Sequence, residues 1–285
     1  MTRFVLVGDG SPTNSALTAA FRRLGHEAEV VTPFAVEEIR RGDDVLVGRV
    51  GSRKRLDVVE PHLEALGALE RAGGSVLNRA AALRVCRDKL ATAERLQSAG
   101  IPHPRTALLE DLADAGLEPP VVVKPRFGRD GEDVHLCVDD DDLEATLAAL
   151  ARAAWFRRHG AIVQELVPTG GQDVRVIVAG GRVIGGIRRL APRGRWHTGG
   201  AAGGRCRTRL TRGAAKLALA AAAAVEGDFV GVDLAALWRG QTVIDVNGCV
   251  DFTSEYAPDS DAFAQTATAL LAAAERQRVK LLGSS

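Results

Sequence analysis

The sequence predicts an α/β protein built from several lobes, and three observations lead there. Short β-branched runs alternate with helical stretches over residues 1–72, the pattern of a parallel sheet covered by helices. Gly100, Pro102 and Pro104 then break the chain at a plausible lobe boundary. Near the C-terminal end, the runs 230–235 and 242–247 alternate apolar and polar residues across a turn-like Trp238-Arg239-Gly240-Gln241. A chain of 285 residues can bury a sizeable core, as one large domain or two to three lobes. The 46% hydrophobic and 26% charged content is that of an ordinary globular protein, and a net charge of +1 gives no push toward nucleic acid or a membrane surface. No apolar run approaches the roughly 18 residues of a membrane span. The start reads as a first strand, not a signal peptide, so a cytoplasmic location is expected. Cys86, Cys137, Cys206 and Cys249 lie far apart with no Cys-x-x-Cys pair, which argues against a Cys-rich zinc site and against disulfides.

In order, residues 4–8 read as a buried strand. The turn 8–13 leads to a helix capped by Thr13 or Asn14 and stopped by Gly25. Strands follow at 27–32 and 44–50, then a helix at 57–72. Gly8-x-Gly10 lacks the third glycine of a dinucleotide fingerprint, so a tight strand-to-helix turn is preferred. A small polar substrate group near residues 11–14 stays open, since helix N-termini attract anions. The strand 76–78 enters one long helix, 80–99, in which Lys89 reads as a solvated lysine.

Pro120-Val121-Val122-Val123-Lys124-Pro125 is a strand ending in a lysine, followed by the polar glycine turn 126–133. Such a lysine supplies a point charge, and such a loop supplies N–H groups, to a phosphate. An ordinary hairpin with an exposed lysine fits as well. The acidic run 139–142 caps a helix through about residue 155. In the strand 161–168, Glu165 among apolar neighbours would need a partner if buried. Residues 173–179 and 182–190 form a hairpin on Gly180-Gly181. Its Arg175 and Arg188 suit either a sheet edge or bidentate binding of carboxylate or phosphate. The glycine- and arginine-rich loop 191–205 carries His197, which could be a ligand, a base or merely solvated. Helices are expected at 211–225 and 259–278.

In the last strand pair, Val230, Val232 and Leu234 share a face with the core, as do Ile244 and Val246, while Asp233, Asp245 and Asn247 point the other way. Three oxygen ligands so placed suit a hard cation such as Mg²⁺. The same spacing also suits carboxylates on the wet face of a hairpin. As a metal ligand on an exposed face, Asp233 is expected to be removable with loss of turnover but not of the fold.

Taken in order, these pieces resemble the ATP-grasp superfamily and, within it, the RimK-like ligases. Ser75-Val76-Leu77-Asn78, Arg87-Asp88-Lys89-Leu90, Val123-Lys124-Pro125, Val163-Gln164-Glu165-Leu166-Val167, Asp173-Val174-Arg175, Arg188 and the Asp233/Asp245/Asn247 strand pair carry the resemblance. It implies an ATP-grasp fold with an N-terminal Rossmann-like pre-domain over 1–83, a small central lobe over 84–161 and a metal-bearing lobe over 162–285. It also implies ligation of a carboxylate to an amine through an acyl phosphate, with ATP and Mg²⁺ (or Mn²⁺). Lys89, Lys124, Gly128, Gly131, Gln164, Glu165, Leu166, Val167 and Asp173 would hold ATP, and Asp233, Asp245 and Asn247 the metal. Arg188 and Arg175 would be catalytic, and His197, Thr198, Gly199 and Gly200 would meet substrate. An amino acid, a peptide or a carrier-protein tail would be the partner, in a dimer or tetramer. Asp245 replaces the usual Glu. The continuation Asn247-Gly248-Cys249-Val250-Asp251-Phe252 is nearer the LysX-like branch than the branch that adds glutamate to a ribosomal protein. The rival readings are an ATP-grasp enzyme with a different nucleophile and a nucleotide-binding regulatory protein without turnover.

Overall fold

A computed structural model of the chain describes residues 1–36, 42–51, 59–110, 116–128, 131–198, 203–238 and 240–282. Three sheets organise it. The first is parallel, in the order β2-β1-β3-β4, and comprises β1 (Arg3–Gly8), β2 (Glu27–Val31), β3 (Val45–Arg49) and β4 (Ser75–Leu77). Its strands are buried on both faces, which is why they read as continuous apolar runs. Helix α1 (Pro12–Arg23) sends Leu17, Ala20 and Phe21 against Phe4 and Leu6 on one face. Helix α2 (Val59–Arg71) sends Leu63, Leu66 and Leu69 against Val5, Val7 and Leu46 on the other. Ser11, not Thr13 or Asn14, caps α1, because Pro12 is already the first helical residue and the Ser11 hydroxyl accepts from the Asn14 N–H.

The expected helix 80–99 is two helices, α3 (Ala80–Arg87) and α4 (Lys89–Ser98). Asp88 stands between them in extended backbone, and its carboxylate caps α4 by accepting from the N–H groups of Leu90 and Ala91. The second sheet is antiparallel, in the order β5-β8-β6-β7, from β5 (Thr106–Leu109), β6 (Val121–Pro125), β7 (His135–Cys137) and β8 (Ala161–Glu165). Helices α5 (Asp140–Leu150) and α6 (Ala154–His159) close its core through Leu143, Leu147 and Phe156. Asp139 caps α5, accepting from the Asp142 N–H at 2.9 Å. Sheet membership puts β8 with the central strands.

The third sheet is antiparallel, in the order β11-β10-β9-β12-β13. It comprises β9 (Gln172–Ala179), β10 (Arg182–Leu190), β11 (Gly204–Arg207), β12 (Phe229–Ala236) and β13 (Gln241–Asn247). Helix α7 (Arg212–Ala224) packs Ala214, Ala218 and Ala221 on the face made by Val176, Val178, Val230, Val232 and Val246. The opposite face is apolar only at one end, where Ile177, Ala179 and Phe229 meet helix α8 (Ala262–Leu282). Helix α8 also covers the α1 side of the first sheet, so both lobes share one core. Among the described residues no helix is long and apolar enough to cross a membrane.

Two fully buried polar side chains join the first and third sheets. The Asn78 amide donates to the carbonyls of Phe229 and Gly248 and accepts from the Phe229 N–H at 2.8 Å. Arg49 is 1% exposed and donates to Asn14 Oδ1 (2.8 Å) and to the Val250 carbonyl (2.7 Å), with its guanidinium 4.9 Å from the Phe229 ring. Thr13 bonds the backbone of Phe252. Of the polar residues 11–14, considered above as a ligand site, Ser11 caps α1 and Thr13 and Asn14 bond across the junction between lobes. Asn78→Ala would leave two buried carbonyls and one buried N–H unpaired, with alanine at φ 53°. We expect a loss of about 2–4 kcal/mol, measured by urea unfolding.

Candidate active site

A cleft of about 650 Å³ lies between the central sheet and the polar end of the third sheet. Lys89, Lys124, Gly128, Gly131, Gln164, Glu165, Leu166 and Val167 line one side, and Asp173, Arg175, His197, Thr198, Asp233, Asp245 and Asn247 the other. Every described residue expected at the site lines this cleft except Arg188. Gly199 and Gly200 lie outside the described residues.

Arg188 is exposed, and Arg189 takes the place expected for it. The reason is a bulge. At the Gly180-Gly181 turn Ala179 pairs with Arg182, and an unbroken ladder would carry Arg188 to Asp173. The register shifts by one residue between Val183 and Gly185, so Arg189 faces Asp173 instead. A second bulge lies in β13. Asp233 pairs with Asp245, but Leu234 pairs with Val243, leaving Ile244 as the extra residue. Ile244 therefore lines the cleft instead of joining Val246 in the core, and Val243 takes the core position.

The polar end of the sheet is a closed set of ion pairs. Asp233, 4% exposed, accepts from Arg175 Nε (2.6 Å) and Nη2 (2.7 Å) and from Arg189 Nη2 (2.8 Å). Arg189 also grips Asp173 with two bonds, of 2.7 and 2.6 Å, and the Thr198 hydroxyl donates to the same carboxylate. Burial pushes the Asp233 pKa up, but the two guanidinium groups outweigh it and hold the carboxyl at about 2. Arg175 is thus engaged by an acidic side chain and fixed in place, as is Arg189.

On the opposite wall, Lys124 Nζ donates to Gln164 Oε1 at 2.7 Å. Burial first, then the neighbouring Lys89 charge, lowers its pKa to about 8, with Asp245 pulling the other way. Lys89 sits in the first turn of α4 and donates to the Gly128 carbonyl at 2.7 Å. Arg126, at the head of the glycine loop, makes two bonds to Asp88, of 2.9 and 2.6 Å. The break in the expected long helix thus serves the site. Asp88 caps α4, aims Lys89 into the cleft and anchors the loop. Sequence reading missed Asp88 and Arg126 as a pair; an acid directly before the lysine and an arginine directly after Lys124-Pro125 were the available signal. Glu165 is half exposed and lies 3.5 Å from Arg105 Nε, so it needs no buried partner. Burial, then Arg195, lowers the His197 pKa, which favours a neutral imidazole at pH 7.

The donors on the third sheet suit a hard cation. Asp245 makes no hydrogen bond to the described residues, and Asn247 uses only its Nδ2, which points to Asp233 at 3.4 Å. Among the described residues no three His, Cys, Asp or Glu side chains form a complete cage. Mg²⁺ does not need one, since it is commonly held by one or two carboxylates with substrate phosphates and water completing the shell.

The ion pairs also correct the expectation that Asp233 is dispensable for folding. Asp233→Ala would leave Arg175 and part of Arg189 buried without a counter-charge, and should cost about 3–5 kcal/mol in chemical denaturation. Arg188→Ala should stay within about 0.5 kcal/mol in the same measurement.

Comparison with known proteins agrees with this geometry. The RimK-like ATP-grasp domain matches residues 86–264. The tetrahydromethanopterin:α-L-glutamate ligase of Methanosarcina acetivorans is 29% identical over 230 residues, covering 75% of this chain and 70% of that protein. The ribosomal protein bS6–L-glutamate ligase of Escherichia fergusonii is 32% identical over 217 residues, 72% of this chain and 68% of that protein. Both names concern glutamate, so they do not follow the LysX-like leaning of residues 247–252. A RimK-domain ATP-grasp structure from Sphaerobacter thermophilus superposes with a TM-score of 0.70 at 24% identity, over 95% of this chain and all of that one. The cleft's paired lysines and acidic strand residues fall inside the matched region, and the chain belongs to the RimK-like ATP-grasp family of ligases, which join a carboxylate to an amine at the expense of ATP.

Proposed function

We propose that this ligase joins the amine of an acidic amino acid to a carboxylate on a small molecule or a polypeptide tail, through an acyl phosphate. The observation that carries this reading is the division of the cleft into a lysine wall and an acid–arginine wall. Lys89 and Lys124 offset charge on the polyphosphate, with Gly128 and Gly131 beside it. Asp245 and the Asn247 side-chain oxygen would hold Mg²⁺, or Mn²⁺ in its place, which would supply charge neutralisation at the phosphate oxygens, while Asp233, expected as a third ligand, has its oxygens engaged by Arg175 and Arg189. The acceptor carboxylate oxygen takes the γ-phosphoryl group and ADP leaves. The amine nitrogen then attacks the carbonyl carbon, the carbon–oxygen bond to phosphate breaks, and phosphate and a proton are released. Arg189 and Arg175, fixed by carboxylates, face the oxygens on which negative charge builds, and their fixed geometry avoids reorganisation in the transition state. Glutamate in the names of the two curated relatives supports an acidic amino acid; one name carries a protein acceptor and the other a small molecule. A binder without turnover would leave the arginine and acid set without a task.

The deciding experiment is ADP release with Mg-ATP, acidic and neutral amino acids and candidate acceptors, with mass spectrometry of products. An amide product with ADP supports the reading, whereas ADP without a new amide indicates another nucleophile. Within an active system, Arg189→Ala should lower kcat by at least 100-fold, while Arg188→Ala stays within twofold. Equal losses in both would remove the assignment to Arg189.

Lys124 gives a pH test. A triphosphate favours its charged form, whose pKa is about 8 in the free protein. Above that pH, binding must take up a proton, so the ATP Kd should rise toward tenfold per pH unit. Lys124→Met should weaken binding at pH 7 and flatten the slope between pH 8 and 9.5. A slope unchanged in that variant would assign it to another group.

A further inference from the structure

Most of the lysines and arginines that line the cleft are engaged by other described residues. Arg175 and Arg189 bind Asp233 and Asp173, Lys89 binds the Gly128 carbonyl, and Lys124 binds Gln164. Arg205, on β11, lines the same cleft, is exposed, and forms no ion pair or side-chain hydrogen bond with the described residues. It stands directly across the ladder from Arg189. Like charges so placed repel.

Tyr256 lines the same cleft; the residue is 5% exposed, and its ring packs edge-on against Phe252 at 6.0 Å. Its backbone carbonyl sits where a Cβ on Gly185 would come within 2.0 Å of it, so this segment seats on β10 only because residue 185 is glycine. The hydroxyl has no hydrogen-bond partner among the described residues. The charged groups acting on it are Arg175, Arg189, Arg205 and Asp233. Three of the four are donors, and Asp233 is already occupied by two of them. A phenol hydroxyl on the cleft wall among guanidinium groups can donate to an incoming anion, as can a guanidinium that no described acid engages. One carboxylate satisfies both, and Arg presents the two-pronged geometry it needs.

We propose that Arg205 and Tyr256 bind a free carboxylate of the incoming amino acid and thereby set the preference for an acidic, unblocked amine substrate. This rests on the ligase reading above and names the residues that select its amine. The test is steady-state kinetics with L-glutamate, L-glutamine and L-glutamate diamide, alongside calorimetric titration of L-glutamate into the protein loaded with Mg²⁺ and a non-hydrolysable ATP analogue. Arg205→Ala and Tyr256→Phe should each raise the KM and Kd for L-glutamate at least tenfold, with the KM for ATP within twofold, and Arg205→Lys should recover part of the loss. L-glutamate diamide should bind at least tenfold more weakly than L-glutamate to the wild type but equally to Arg205→Ala. Unchanged glutamate affinity in both variants, an equal rise in the KM for ATP, or a wild type that binds no L-glutamate would each overturn the proposal. A wild type that binds glutamate through Arg205 yet forms no amide would instead overturn the ligase substrate reading and leave this site standing.

Discussion

Asp233 is the group on which the rest of the site depends. It must stay ionised in a nearly dry position, where burial alone would protonate it. Arg175 and Arg189 prevent that, each from a different strand. One carboxylate therefore connects β9, β10 and β12 at their polar end, as apolar side chains connect them at the other. Both guanidinium groups are in turn held at fixed orientation. Asp173 and Thr198 extend the set to the loop after β10, so order at the ion pairs and order at the loop are linked. Buried pairs of this kind are weak evidence of stability, since their desolvation cost is large. Their retention makes more sense as positioning of charge for a polyanionic substrate.

The lobes were legible because each rests on periodicity. Continuous apolar runs such as residues 4–8 marked the parallel sheet, and the alternation at 230–235 correctly sent Val232 to the α7 side and Asp233 to the other. The site was less legible because it lies on two hairpins with bulges. Alternation cannot show a bulge, and one extra residue reverses the parity of everything beyond it. At Ile184 this exchanges Arg188 for Arg189. At Ile244 the bulge sends an expected core residue into the cleft. Two adjacent arginines are indistinguishable to a pattern argument, and the difference is whether one residue loops out of β10. The break at Asp88 escaped for a related reason. Residues 80–99 have helical composition throughout, and only a tertiary partner, Arg126, shows why the acid leaves helical geometry.

The junction of the first and third sheets explains how the cleft keeps its shape. Asn78 and Arg49 both bond backbone of the stretch 229–250, and the Arg49 contact falls within three residues of Asn247. These side chains have no role in chemistry, yet they fix the segment that leaves the acidic strand. Because their partners are backbone atoms more than 150 residues away in sequence for each long contact, nothing local in the chain announces them.

Charge arrangement gives the cleft a direction. Lys124 and Asp245 act on one another across it, and burial, then the Asp245 charge, pushes the Cys86 thiol up to about 12, so that cysteine stays protonated beside the site. The lysines and Asp245 thus mark one end, and Arg175, Arg189 and Arg205 the other. On the proposed reading, a nucleotide whose polyphosphate lies against the lysines would direct its terminal phosphate to the arginines. An acid bound there would meet two guanidinium groups held by carboxylates and a third that no described acid engages. Groups held by Asp173 and Asp233 cannot follow a substrate that moves, which suits stabilisation of a charge that builds at one place. An unpaired guanidinium can adjust, which suits selection among ligands that differ in length. The same residue type therefore does two different jobs in this cleft, and the presence or absence of an acidic partner decides which.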